Sequence, residues 1–324
     1  ALAWRTHDSL LFPSGGLGMN DLELPILRFE RVTRRYDRFV ALEDVDFVVQ
    51  KGKILGLVGE SGSGKTTCIR LALGLERPSA GRVWFMDRPY HYRPKELKSI
   101  RRRIGFIFQD PYDALDPYMT LEEIIGEPLR AHGLWDATAR ERVRRLLDRV
   151  GLPDASLRSY PTRYSGGGLQ RIAIARALAL DPELLLCDEP TSNLDVSMQA
   201  QIINLLIELQ RERGLAMVFV THDLPLIRRI ADDLVVLYAG RVMERGPARE
   251  IAARPRHPYT IALLGATEAR TSHRNIWDEA NPLVSTGCPF ASRCWKAQPR
   301  CWRERPPRIA VGPDWEVACF FPEE

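Results

Sequence analysis

Gly59-Glu60-Ser61-Gly62-Ser63-Gly64-Lys65-Thr66 is the stretch on which the reading of this chain turns. It fits G-x-x-x-x-G-K-[ST]. Its glycines let successive backbone N–H groups converge on phosphate oxygens with no Cβ in the way. A lysine at the seventh position, here Lys65, reaches the β/γ-phosphates, and the hydroxyl after it, on Thr66, ligates Mg²⁺. The flanks agree with this reading. Lys53–Gly59 (KILGLVG) is a short apolar run fit for a buried strand. Thr66–Leu73 has helical apolar spacing and is closed by Gly74, and such a helix would turn its positive end toward the same anion.

Working outward, the segment between Leu27 and Phe47 alternates weakly and suggests short antiparallel strands. Leu184–Cys187, Met217–Val220 and Leu234–Tyr238 are further short apolar runs. Ala239-Gly240 after the last of them predicts a hairpin into Arg241–Glu244. Val143, Leu146, Leu147 and Val150 keep helical spacing, as do Ile202, Leu205, Leu206 and Leu209 ahead of Gly214, the expected helix stop. Strands alternating with helices argue for a largely parallel sheet. From about Thr267 the pattern fades. Residues 281–324 are rich in Pro, Arg and Trp and read as a small appended domain. Met19 looks like a natural beginning, with residues 1–18 an upstream extension.

Composition narrows the class. The chain has 324 residues, 45% of them hydrophobic, and a net charge of +4. That length holds one large α/β domain plus a smaller one. The charge is too close to balance to imply a nucleic-acid partner. No run approaches the roughly 18 consecutive apolar residues of a membrane helix, and the first residues lack a signal-peptide pattern. Cys68 and Cys187 stand singly in apolar surroundings and read as core. Cys288, Cys294, Cys301 and Cys319 crowd together near the end with spacings x₅, x₆ and x₁₇. That spacing matches neither a zinc ribbon nor a ferredoxin run, so it leaves the metal open.

Leu184-Leu185-Leu186-Cys187-Asp188-Glu189 is an apolar run ending in two acids. In a nucleotide site the first acid supports Mg²⁺ and the second deprotonates the attacking water. Ordered around the phosphate loop are Phe108-Gln109-Asp110-Pro111, Tyr164-Ser165-Gly166-Gly167-Gly168, Asp188-Glu189-Pro190-Thr191, Ser192-Asn193-Leu194-Asp195 and Thr221-His222-Asp223. In that order they resemble the Q-loop, signature, Walker B, D-loop and switch histidine of the ATP-binding cassette (ABC) family, over roughly residues 26–263.

The resemblance implies an α/β nucleotide-binding domain with a RecA-like core, an antiparallel β subdomain and a helical subdomain. It also implies ATP hydrolysis with Mg²⁺. Gly59, Ser61, Gly62, Ser63, Gly64, Lys65, Thr66 and Thr67 would hold the phosphates, and Tyr36 would stack on adenine. Thr66, Gln109 and Asp188 would face Mg²⁺. Glu189, His222 and Gln109 would be catalytic. Ser165, Gly166 and Gly167 open a second helix and offer a second anion site, which the family uses to complete the ATP site of a partner chain. Gly168 and Leu169 replace the usual Gln and basic residue, so the two ATP sites of the pair are expected to be unequal. The segment Gln109–Leu129, with the helix near Val143–Val150, is expected to receive the membrane subunits.

Arg256-His257-Pro258-Tyr259-Thr260 and the tail with Gly287-Cys288-Pro289-Phe290, Arg293-Cys294, Pro306-Pro307 and Val317-Ala318-Cys319 resemble the oligopeptide, dipeptide and nickel importers of that family. So does Pro282-Leu283. The branch implies a subunit peripheral to the cytoplasmic face of the membrane. Its partners would be a second ATPase subunit, two membrane permease subunits and, indirectly, an external substrate-binding protein. The expected organisation is a disordered tail over 1–25, an ATPase domain over 26–263 and an extension over 264–324. Some importers of this kind carry a [4Fe–4S] cluster in the extension. That favours iron–sulfur over Zn²⁺ for the four cysteines, with Arg293, Arg300 and Arg303 near the thiolates to offset negative charge. The alternatives are a soluble ABC ATPase outside transport and a regulatory subunit with weak hydrolysis.

Overall fold

The computed structural model describes residues 24–37, 39–152, 157–265 and 286–323. The expected tail over 1–25 lies almost wholly outside the described residues, as does Pro282-Leu283. The chain opens with β1 (Leu27–Tyr36) and β2 (Phe39–Val49), a long antiparallel hairpin, then β3 (Ile54–Val58), α1 (Lys65–Ala72), β4 (Ala80–Phe85), β5 (Arg88–Pro89) and α2 (Pro94–Arg101). Next come β6 (Ile104–Ile107), α3 (Pro111–Ala114), α4 (Leu121–Ala131), α5 (Ala137–Arg149) and α6 (Gly166–Ala177). β7 (Leu184–Asp188), α7 (Val196–Arg213), β8 (Ala216–Thr221), α8 (Leu224–Ile230), β9 (Asp233–Tyr238) and β10 (Arg241–Pro247) follow. The chain finishes with α9 (Ala248–Ala253), α10 (Pro258–Gly265), α11 (Pro299–Arg303), β11 (Ile309–Gly312) and β12 (Trp315–Val317).

Among the described residues these strands form two sheets. One is antiparallel, in the order β2-β1-β4-β5; the other runs β11-β12-β10-β9-β3-β8-β7-β6. In the larger sheet β9, β3, β8, β7 and β6 are parallel neighbours. Both faces of this parallel core are covered, which is why its strands read as continuous apolar runs. Alternate residues serve opposite sides. Leu55, Leu57, Leu184, Leu186, Val218 and Val220 face α1 and the β1–β2 hairpin. Ile54, Val58, Leu185, Cys187, Met217 and Phe219 pack with α5, α6 and α7. Cys68 and Cys187 are buried, as expected.

The helical subdomain is set by local signals. Thr120 and Glu123 form a reciprocal capping box that starts α4, and Asp136 caps α5. α4 buries Leu121, Ile124, Ile125 and Leu129, while α5 buries Val143, Leu146 and Leu147. Gly214 ends α7 at φ 60, the left-handed stop its position suggests. Among the described residues no helix is long and apolar enough to cross a membrane.

The tail departs from the sequence reading. It does not stand apart as an appendage. β12 pairs antiparallel with β10 (Glu244 opposite Val317), and β11 pairs with β12, so the tail widens the main sheet. Phe290, Trp315, Cys288 and Cys301 belong to the same hydrophobic cluster as α5, α6 and α7. Periodicity missed this because the strands are short and their core is borrowed.

Candidate ATP site

The sheet order explains why distant motifs meet. In parallel α/β sheets, ligands bind beyond the carboxyl ends of the strands. Here β3 delivers the Gly59–Thr66 loop, β8 delivers Thr221-His222, β7 delivers Asp188-Glu189, and β6 leads to Phe108-Gln109. These four strands are consecutive neighbours with their ends in register: Val58 lies opposite Thr221, Asp188 opposite Val220, and Ile107 opposite Cys187.

The loop's shape requires its glycines. At Gly59, φ is 154 and an added Cβ would stand 2.2 Å from the Leu237 carbonyl oxygen. At Gly64, φ is 106 and a Cβ would meet the Ala41 carbonyl oxygen at 2.8 Å. Lys65 opens α1, is 7% exposed, and donates from Nζ to the carbonyl oxygens of Gly59 and Glu60, each at 2.8 Å. Burial lowers its pKa, opposed by the charges of Glu189, Asp188 and Glu60. Ser63 is buried, and its Oγ has no hydrogen-bond partner among the described residues. A buried hydroxyl aimed into a glycine cradle fits a phosphate oxygen. Ser61, Gly62 and Thr66 are exposed, and Thr67 is half-buried.

Two of the residues expected to be catalytic converge on the carboxylate of the third. Glu189 Oε2 lies 3.3 Å from His222 Nδ1 and 3.4 Å from Gln109 Nε2. Glu189 has φ 44, an uncommon conformation for a non-glycine residue and one that clusters at functional sites. Asp188, beside it, is 6% exposed. Burial raises its pKa, opposed by a hydrogen bond from the Thr66 hydroxyl. Thr66 and Asp188 thus form a pair of hard oxygen donors of the kind Mg²⁺ takes. Ser192 Oγ donates to the Glu189 carbonyl oxygen at 3.1 Å. Asn193 Nδ2 donates to Asp110 Oδ2 at 3.3 Å, which ties the loop after the acids to the loop after Gln109.

Other expected residues make contacts of their own. Tyr36 ends β1, with the Arg34 guanidinium 4.4 Å from its ring centroid and its hydroxyl donating to Glu76. Ser165 is exposed at the N-cap of α6, while Gly166 and Gly167 pack against Leu194 and Met198. Leu169 is 3% exposed and part of the core. An apolar side chain therefore suits the position where a basic residue was expected.

The four cysteines line a single cavity with His257, Phe290 and Lys296. All four are free thiols. Burial and the neighbouring thiols push Cys288 up to about 12 and Cys294 up to about 11. Among the described residues no group of three or more His, Cys, Asp or Glu side chains is arranged to hold a metal ion. Two of the arginines expected near the thiolates also pair with carboxylates. Arg293 pairs with Glu60, at 2.9 and 2.8 Å. Arg300 pairs with Glu304 and covers Phe320.

Two residues escaped the sequence reading. Glu60 occupies an unspecified position of the G-x-x-x-x-G-K-[ST] pattern, yet its N–H donates to the Tyr259 hydroxyl at 2.9 Å. Glu244 is fully buried and accepts from the Arg256 and His257 backbone N–H groups and from Trp315 Nε1. An isolated acid in a strand gives no such signal.

Comparison with known proteins agrees with this geometry. The ABC transporter family model matches residues 42–192, and the model for the oligopeptide/dipeptide transporter C-terminal region matches 243–301. A putative peptide import ATP-binding protein of Brucella ovis is 42% identical over 313 residues, covering 92% of this chain and 98% of the relative. Another, from Brucella abortus, is 44% identical over 291 residues, covering 87% of this chain and 86% of the relative. Among solved structures, cbiO1 from Clostridium perfringens, part of the ABC transporter complex cbiONQ, has TM-score 0.66 at 30% identity and covers 71% of this chain and 92% of its own. The dimeric post-hydrolysis cassette MJ0796 bound to ADP and Pi has TM-score 0.63 at 32% identity, covering 69% of this chain and 99% of its own. On the near full-length match to these relatives and the assembled phosphate-loop site, this chain belongs to the ATP-binding proteins of the ABC transporter family and is an ATPase of that type.

Proposed function

We propose that this chain is the motor subunit of an importer of oligopeptides, dipeptides or metal chelates such as nickel complexes. In this reading it pairs with a second, different ATPase subunit on two permease subunits, at the cytoplasmic face of the membrane. An external binding protein feeds the machine, and no nucleic acid takes part. The peptide-import relatives and the match over 243–301 support the branch.

The convergence of Gln109 and His222 on Glu189 carries the mechanism. Phosphoryl transfer depends mainly on positioning and charge stabilisation. Lys65 exchanges the Gly59 and Glu60 carbonyl oxygens for β/γ-phosphate oxygens, and the loop N–H groups and the Ser63 hydroxyl take the others. Glu189 orients the attacking water and accepts its proton. His222 and Gln109 hold that carboxylate and sense the γ-phosphate. Thr66, Asp188 and Gln109 would hold Mg²⁺, whose charge offsets that of the phosphates. Tyr36 would stack on adenine. Ser165, Gly166 and Gly167 would complete the site on the partner. Replacing Glu189 with Gln should preserve ATP binding and lower turnover by at least roughly a hundredfold. Wild-type turnover of that variant in the assembled transporter would remove Glu189 from this role.

For the four cysteines we propose a [4Fe–4S] cluster. Four free thiols around one cavity support this. With the pKa values of Cys288, Cys294 and Cys319 raised by burial, a bound metal is what would keep those sulfurs as thiolates. The cluster would cross-link the tail. Anaerobically purified protein should contain iron and acid-labile sulfide near four per chain. One zinc and no iron would select the mononuclear site instead.

A further inference from the structure

We infer that Tyr259 and Arg293 are positioning residues for ATP binding, and that they act by fixing and neutralising Glu60 of the phosphate loop. This rests on the proposal that Gly59–Thr66 holds the nucleotide phosphates. Every polar group of Glu60 has a partner. Its N–H donates to the Tyr259 hydroxyl at 2.9 Å. Its carbonyl oxygen accepts from Lys65 Nζ at 2.8 Å. Its carboxylate takes a two-point contact from Arg293 at 2.9 and 2.8 Å. Two of the three partners come from outside the strand–loop–helix unit that owns the loop. Tyr259 lies in α10 and is fully buried. Arg293 ends a short turn just before Cys294, and its side chain is 7% exposed.

The supports are themselves held. Arg293 also donates to the Tyr238 hydroxyl at 3.2 Å. Tyr238, Tyr259 and Phe290 pack ring against ring, with centroids 4.6 to 5.4 Å apart. The next loop residues, Ser61 and Gly62, are exposed. The clamp at Glu60 therefore sets where the exposed part of the loop begins, and a pre-set loop loses less freedom when phosphate arrives.

Charge gives the second half. Glu60 places a carboxylate in the loop that must accept a polyanion, while its carbonyl oxygen sits on the ammonium that reads it. Left unpaired, that carboxylate would repel the phosphates and compete for Lys65. The two-point contact from Arg293 cancels it, with the planar fit that lysine lacks.

The test is equilibrium binding of a fluorescent ATP analogue to the full chain, with steady-state kinetics of the assembled transporter. Arg293→Ala should weaken binding roughly tenfold and raise KM in step, while kcat stays within about twofold. Arg293→Lys should fall between wild type and Arg293→Ala. Adding Glu60→Gln to Arg293→Ala should recover most of the lost affinity, because the uncompensated charge has gone. A bracket that merely holds the tail would show no such recovery. Tyr259→Phe, which removes one hydroxyl, should weaken binding about threefold, and it decides the matter with Arg293→Gln if Arg293→Ala does not fold. Lys65→Ala is the reference. If it loses nucleotide while the Arg293 and Tyr259 variants bind like wild type, the positioning role is overturned. If Lys65→Ala itself binds normally, the reading of the loop fails instead.

Discussion

At the scale of single residues, the site depends on positions that admit little else. A methyl group at Gly59 would stand 2.2 Å from a main-chain oxygen of β9, in a backbone conformation L-residues avoid. Main chain inside a sheet yields poorly, so Gly59→Ala should cost about 3 kcal/mol of stability and abolish nucleotide binding; urea unfolding and a binding titration measure the two. Lys65, Asp188, Glu189 and Gly59 were legible because their chemistry is local, resting on a residue type at the end of an apolar run. Glu60 was not. Its partners lie 199 and 233 residues further along the chain, and no local pattern marks a side chain by what folds onto it. The roles expected of Arg293, Arg300 and Arg303 came from closeness in sequence to the cysteines. Closeness did not predict which acid an arginine would find.

Elements tell a similar story. The strands of the parallel sheet and the helices α4 to α7 were readable because apolar period and caps agree along each. The start of α6 is less regular. Three successive glycines weaken its first turn, and Gly168 stands where Gln was expected. A Cβ there would approach the Tyr164 Cβ at 3.0 Å and its ring at 3.1 Å, contacts that a shift of a few tenths of an ångström in the neighbouring loop relieves. Gly168→Gln should therefore change stability by less than about 1 kcal/mol, helix propensity offsetting the contact. It should speed turnover at the site this motif completes, read with Glu knockouts of each subunit in turn. Leu169→Arg should behave differently. Its side chain is buried, and an unpaired cation there should cost about 3 kcal/mol. Thermal unfolding separates the two. The tail strands β11 and β12 had no legible signature, because each is short, β12 taking its register from β10 and β11 from β12. Their attachment rests on Glu244, whose carboxylate satisfies three donors. Glu244→Ala leaves those donors buried without a partner and should destabilise by about 3 kcal/mol or more, seen as lowered cooperativity and Tm.

For the whole molecule, the described surface suggests where force leaves the motor. Tyr112 and Tyr118 are 61% and 88% exposed in the segment after Gln109, while Arg176 donates to the Ala114 carbonyl oxygen and reaches the Phe108 ring. A change at the γ-phosphate sensed by Gln109 would thus act on a segment joined to α6. Cysteines introduced at Tyr112 or Tyr118 should cross-link to a permease subunit. Cross-links confined to other faces would move that interface. Val196, 83% exposed just after Asp195, opens α7 beside the signature glycines. Its replacement by Glu should weaken ATP-dependent pairing of the two cassettes, measured by light scattering of the Glu189→Gln variant. The tail reaches across this architecture too, since Arg305 meets Glu43 and Arg308 meets Asp46, both on β2.

The pairing of β12 with β10 has a consequence for biosynthesis. Arg245 and its partner Glu316 are 71 residues apart in the chain. At 5–20 residues per second a ribosome needs roughly 4 to 14 s to cross that interval. During this time the outer edge of β10 has no neighbour, and an open strand edge is a template for the wrong chain. Glu244 lies on that edge. Before the tail arrives, its carboxylate is a hydrated charge that any intruding strand must strip of water. The Arg256 and His257 backbone, 12 and 13 residues on, reaches it first, and once Trp315 follows, the same carboxylate draws the correct strand home. Newly made chains stalled before Trp315 should stay monomeric with Glu244 and aggregate when it is leucine, a difference readable by sedimentation of ribosome-released fragments.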